Sequence, residues 1–150
     1  MKEKTQMPDE QAIEAVIKRQ FGSLSWTPDA SADWDAFMSD FLAGAPLYPA
    51  KRPVKQQSVN AFMERLSGLE GTKLRSFHET VLGTEVRVFG NVAVALAGCE
   101  MVENETEVSR GVEMLLLVKD AGQWRIAGQA WDLESDEVKV PPHLSGVGAT

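Results

Sequence analysis

The chain has 150 residues, 43% hydrophobic and 25% charged, with a formal net charge of −7. That composition describes one globular domain and excludes wholesale disorder. The acidic balance excludes a nucleic-acid backbone or an anionic membrane as the main partner, because both require a basic face. The basic cluster Lys51, Arg52 and Lys55 sits among prolines and reads as a loop.

Cys99 is the sole cysteine, so there is no internal disulfide and no multi-cysteine metal site. The N-terminal segment is charged and lacks an apolar signal core, and no run reaches the ~20 apolar residues of a membrane span. A cytoplasmic protein is expected.

The front half has helical periodicity. Ile13, Val16, Ile17, Phe21 and Leu24 form one stripe of a helix, with Asp9 as its expected N-cap and Gly22 weakening its end. Trp34, Phe37, Met38, Phe41 and Leu42 form a second stripe, capped by Ser31 and stopped by Gly44 and Pro46. A short edge strand is expected around Leu47–Tyr48, before a proline-rich loop. Ser58 caps a third short helix carrying Val59, Phe62, Met63 and Leu66.

From about Lys73 the period changes to that of strands. Lys73 to Phe89 reads as one long bent strand or two around a bulge near Gly83. Gly90-Asn91 marks a hairpin, followed by "VAVALAGCEMV", a polar turn, "VSRGVEMLLLV", another turn and the final strand "QWRIAGQAWDLE". The tail from about 135 to 150 is rich in proline and glycine and is expected to be loosely held.

Helices followed by strands predict an α+β domain: three N-terminal helices packed on one face of a strongly curved, mostly antiparallel sheet. Small residues inside the strands (Ala93, Ala95, Ala97, Gly98, Gly111, Gly128) permit sharp curvature or close approach. A sheet apolar on both faces needs a second cover, so a homodimer through the sheet is expected.

The ordered set "ADWDAFMSDF", "FHE" at 77–79, "VFGNVAVA" at 88–95, "SRGVEMLLLVKDAGQWRI" at 109–126 and "AWDLE" at 130–134 resembles the nuclear transport factor 2-like superfamily. That superfamily includes ketosteroid isomerases and SnoaL-like cyclases, and the pieces look like those of an uncharacterised bacterial subgroup. The resemblance covers residues 10 to 134 and implies a cone with a mostly apolar pocket between helices and sheet. Its members include enzymes, ligand binders and assembly modules, so the fold does not give the function.

Three residues are the acid–base candidates. Glu100 lies in an otherwise apolar strand: it either reaches water near the strand's end or is a base whose pKa a dry pocket raises. His78 is the histidine within the core region, and histidine is the residue type suited to exchange a proton near neutral pH. Asp132 either marks the last strand's emergence into solvent or supplies a pocket acid.

Arg110, across a short turn, can pair with Glu100 or clamp a carboxylate. His78 and Glu79 are strand neighbours, so only one of them can enter the cone. Simple alternation puts Asp132 with Trp124 and Ile126, and Trp131 with Arg125 and Gln129, which sends the two tryptophans to opposite faces.

Trp34, Tyr48, Phe62, Met114, Trp131 and Glu79 are candidates to line a ligand pocket, with plain core packing as the competing reading of the apolar ones. Two distant histidines and one cysteine do not make a closed metal site, and no phosphate-binding loop or nucleophile elbow is present. No metal and no cofactor is expected. The function expected is small-molecule binding, with or without proton-transfer catalysis of the isomerase, cyclase or dehydratase type. The alternative is a non-catalytic dimeric interaction module.

Overall fold

The computed structural model describes residues 7–146. Helix α1 spans Asp9–Ser23 and buries Ile13, Val16, Ile17 and Phe21, the stripe that its spacing requires. Those side chains pack on Ala93, Ala95, Ala97, Leu115, Leu117 and Ile126 of the sheet. The three alanines keep the sheet surface low where the helix crosses it.

The cap assignments at α1 and α2 differ from expectation. Pro8, not Asp9, occupies the cap position of α1. Asp9 is the first helical residue, and its carboxylate accepts from Lys119 Nζ and Trp124 Nε1, each at 3.0 Å. It thereby ties the helix start to the sheet. Helix α2 covers only Trp34–Ser39, and its cap is Asp33, which accepts from the Ala36 N–H, rather than Ser31.

Two short strands follow, β1 (Pro46–Tyr48) and β2 (Gln57–Ser58), before helix α3 (Val59–Ser67). The helices are therefore three but not consecutive, because β1 and β2 separate α2 from α3. Ser58 does cap α3, accepting from the Ala61 N–H.

The long strands are β3 (Phe77–Phe89), β4 (Val92–Glu103), β5 (Glu107–Asp120) and β6 (Gln123–Leu133). The sheet order is β2-β1-β6-β5-β4-β3. All pairings are antiparallel except β1 with β6.

Two bulges decide which side chains face inward. In β3, Val81 pairs with Cys99 but Gly83 with Gly98, so Leu82 is the extra residue. In β6, Ile126 pairs with Leu117 but Gly128 with Leu116, so Ala127 is extra. The second bulge overturns the alternation expected along β6. Past Ala127 the parity switches, and Gln129 and Trp131 join Trp124 and Ile126 on the inner side, while Asp132 is exposed.

The tail is not loose over its described length. It packs against β3 and β4 on the outer face of the sheet, where a 3-10 turn at Pro142–Leu144 leaves Leu144 with no exposure. Gly98 and Gly83 make room for it: a Cβ on Gly98 would lie 1.9 Å from the Leu144 carbonyl oxygen, and one on Gly83 would lie 2.8 Å from that of His143. Residues 147–150 of the expected tail lie outside the described residues. Beside the tail, Val92, Val94, Met114 and Leu116 remain exposed on the outer face.

Candidate functional site

The inner face of the sheet and the helices enclose a cavity of ≈ 180 Å³. Its walls are largely aromatic and aliphatic: Phe21, Leu24, Phe37, Phe41, Phe62 and Trp131 are among them. The rings form a chain. Phe37 lies 5.8 Å from Phe62, and Phe62 meets Trp131 edge-on at 5.4 Å. A cavity of about 150 Å³ lined by apolar side chains accepts one benzene ring, so this one has space for a single ring.

Four polar side chains break the apolar lining: Gln20 of α1, Glu79 of β3, Glu113 of β5 and Gln129 of β6. All four are buried. Gln20 and Gln129 form a reciprocal amide pair, with Gln20 Nε2 donating to Gln129 Oε1 at 2.8 Å and Gln129 Nε2 to Gln20 Oε1 at 3.2 Å. Gln129 Nε2 also donates to Glu113 Oε1.

Glu79 and Glu113 are hydrogen-bonded to one another. They come from strands on either side of β4, where Cys99 stands between them. The thiol hydrogen-bonds to Glu79 and lies 3.6 Å from the Gly111 carbonyl oxygen.

Burial penalises the charged form of both carboxyls. It pushes Glu79 up to about 7, against the pull of the hydrogen bonds from Cys99 and Glu113. Burial, and then the charge that develops on Glu79, holds Glu113 well above the ordinary carboxylate range. The Cys99 thiol is pushed up by burial and by both acids, so it stays protonated. Two touching carboxyls cannot both ionise in such a site, and the pair titrates as a unit. Near neutrality it gives up one proton and retains the other. An acceptor and a donor for protons then face the same apolar space.

Glu79, Cys99 and Glu113 also bring one donor atom each within 4.8 Å of one another, the one such trio among the described residues. A cation there would have to displace the protons that burial favours, whereas a shared proton satisfies both acids without any addition.

The expected site residues divide between the two sides of the sheet. Phe62, Trp131 and Glu79 line the cavity. Trp34 packs beside it, 6.0 Å from Phe37, with its Nε1 donating to Glu70 at 2.8 Å. Tyr48 is exposed, and its hydroxyl donates to Gln56. Glu100 pairs with Arg110 at 2.9 Å, both on the side opposite Cys99 and Met101. His78 is exposed, as alternation requires once Glu79 is inside.

Asp132 and Met114 border a groove of ≈ 540 Å³ between the outer face and the tail. This groove is the larger space, but it holds no buried carboxyl. The inner cavity is the candidate site because its acids are desolvated and paired. Glu113, Gln129 and Gln20 escaped the sequence reading. Glu113 carried the same signal that drew attention to Glu100, a lone acid in an apolar strand, and its spacing from Leu115 and Leu117 puts it on the buried face.

A curved sheet with helices over one face recurs among solved structures. The fold is that of the nuclear transport factor 2-like proteins. An NTF2-like protein of unknown function from Silicibacter pomeroyi matches with a TM-score of 0.60 and 16% identity, over 85% of this chain and all (100%) of that one.

A protein of unknown function with a cystatin-like fold from Nostoc punctiforme matches with a TM-score of 0.66 and 11% identity, over 85% and 92% of the two chains. A proposed scytalone dehydratase from Novosphingobium aromaticivorans matches with a TM-score of 0.68 and 14% identity, over 95% of each chain. No protein-family model matches the sequence, and no curated protein matches it significantly. At these identities the NTF2-like likeness establishes the fold alone. No helix among the described residues is long and apolar enough to cross a membrane.

Proposed function

We propose that this NTF2-like protein binds a small organic molecule in the cone cavity and moves a proton on it with the Glu79–Glu113 pair. The observation that carries this reading is the buried, hydrogen-bonded carboxyl pair facing an apolar space large enough for one ring. Glu79, freed of its proton at about 7, is the base, and Glu113, still protonated, is the acid. Such a pair suits isomerisation, cyclisation or dehydration, in which a proton leaves one atom and another is delivered nearby. One fold neighbour's description as a proposed dehydratase is in keeping with this class. Glu100, His78 and Asp132 are not part of the proposal, since none lines the cavity.

The test is deuterium uptake at the α-carbon of cyclohexanone in D2O at about pH 8, where the base is free. The protein should accelerate uptake over buffer and Glu79→Gln should not. Absence of both acceleration and ring binding by ligand-observed NMR would overturn the proposal. Native mass spectrometry of freshly purified protein adds the mass of any co-purified molecule. An unplugged cavity favours ligand binding over a pure interaction module, although the exposed strip at Val94, Met114 and Leu116 supports an additional role in self-association.

A further inference from the structure

We infer that the ligand is an organic anion of one ring, held ring-inward with its acid group at the mouth against Arg65. This rests on the proposed ligand-binding reading of the cavity and adds the chemical class. Among the described residues, Arg65, in the last turn of α3, is the one cationic side chain that lines the cavity. Its guanidinium lies 5.4 Å from the centre of the Phe62 ring, and that ring in turn meets Trp131.

Arg65 has no carboxylate partner among the described residues, in contrast to Arg19, Arg87 and Arg110, which each have one. The ring face holds the guanidinium in place without neutralising it, so its planar donor edge is free for an oxyanion. A helix C-terminus favours any cation in its last turn, but that preference does not require the side chain to lie over a cavity-wall ring.

Beyond the wall residue Pro49, Arg52 lines the outer groove and donates to the carbonyls of Pro49, Ala50 and Lys51, so the cation on the cavity wall is Arg65. In a chain of net charge −7, a guanidinium on the cavity wall without a carboxylate partner is a local attraction for an anion. At the other end the buried acids need a ligand part that is neutral, because an anion brought against Glu79 would oppose its ionisation. The two ends thus require a polarity in the ligand: uncharged ring inside, acid group outside.

The experiment compares phenylacetate with phenylacetamide, matched in shape, by titration calorimetry with the full chain at about pH 6. There the probe is ionised and the carboxyl pair is protonated. The wild type should prefer the carboxylate by about tenfold, with the preference shrinking as ionic strength rises. Arg65→Gln should bring the ratio to about one, and Arg65→Lys should restore part of it. Arg65 is exposed, so neither change threatens the fold.

Equal binding of both probes by the wild type, or a preference that survives Arg65→Gln, would overturn the anion assignment and leave the cavity reading standing. Failure of both probes to bind would remove both readings together.

Discussion

Replacing Glu79 with Gln keeps the side chain's size beside Cys99 and Glu113 but removes the proton that the pair must lose. In the folded protein that proton leaves at about 7, against an ordinary value of 4.5, because burial penalises the charge. The unfolded chain ionises at the ordinary value. Between those two pH values the folded state therefore holds a proton that the unfolded state has released. Stability falls as pH rises through the window and levels off above about 7.

At roughly 1.4 kcal/mol per pH unit, the wild type should lose about 3 kcal/mol across the window relative to Glu79→Gln. Groups away from the acid pair cancel in the difference, and burial, the largest cause of the Glu113 shift, acts on Glu113 in both proteins. Urea unfolding followed by tryptophan fluorescence, in steps from about pH 4.5 to about pH 8, measures it. The two stabilities should separate steadily toward neutrality, with the variant increasingly favoured. A constant difference across the series would show that Glu79 ionises normally, and the reasoning about the site would collapse with it.

Gly98→Ala would push a methyl group to within 1.9 Å of the Leu144 carbonyl oxygen. The expected outcome is a loss of about 2 kcal/mol or release of the tail, read by thermal melting and by proteolysis within residues 134–141. Deleting Ala127 removes the β6 bulge and returns Gln129 and Trp131 to the outer parity. That protein should show red-shifted tryptophan emission, and native-like emission would contradict the assigned register. Self-association through the bare outer strip predicts a particle of twice 16.4 kDa by light scattering at micromolar concentration, and Leu116→Lys should yield the monomer. A monomeric wild type would end that proposal.

The legible parts of this fold were those in which one physical pattern runs uninterrupted. The α1 stripe at Ile13, Val16, Ile17 and Phe21 repeats with the helical period, so the buried face could be named residue by residue. Ser58 stands directly before the apolar run of its helix and caps it, whereas the cap of α2 is Asp33, directly before Trp34, and not Ser31.

Parity along β6 could not be read, since a bulge at alanine has no sequence signature. A glycine would have hinted at it, but the neighbouring Gly128 is not the extra residue. The tail misled for a different reason. Its prolines and glycines suggested looseness, yet the partner that holds it is a glycine gap at residues 83 and 98, far away in sequence. At the site, Glu79 was legible as half of an either-or with His78. Its partner Glu113 needed the register of three strands before the two acids could be seen to touch.

That dependence constrains how the chain can vary. Glu79 and Glu113 never pair directly: Glu79 is opposite Met101, Glu113 is opposite Ala97, and Cys99 lies midway. A single inserted residue in β4 between positions 97 and 101 would turn one acid away from the other while leaving every helix untouched. Insertions can collect in the turns at 90–91, 104–106 and 121–122 at little cost to the acids. Within the central hairpin, length itself is part of the chemistry.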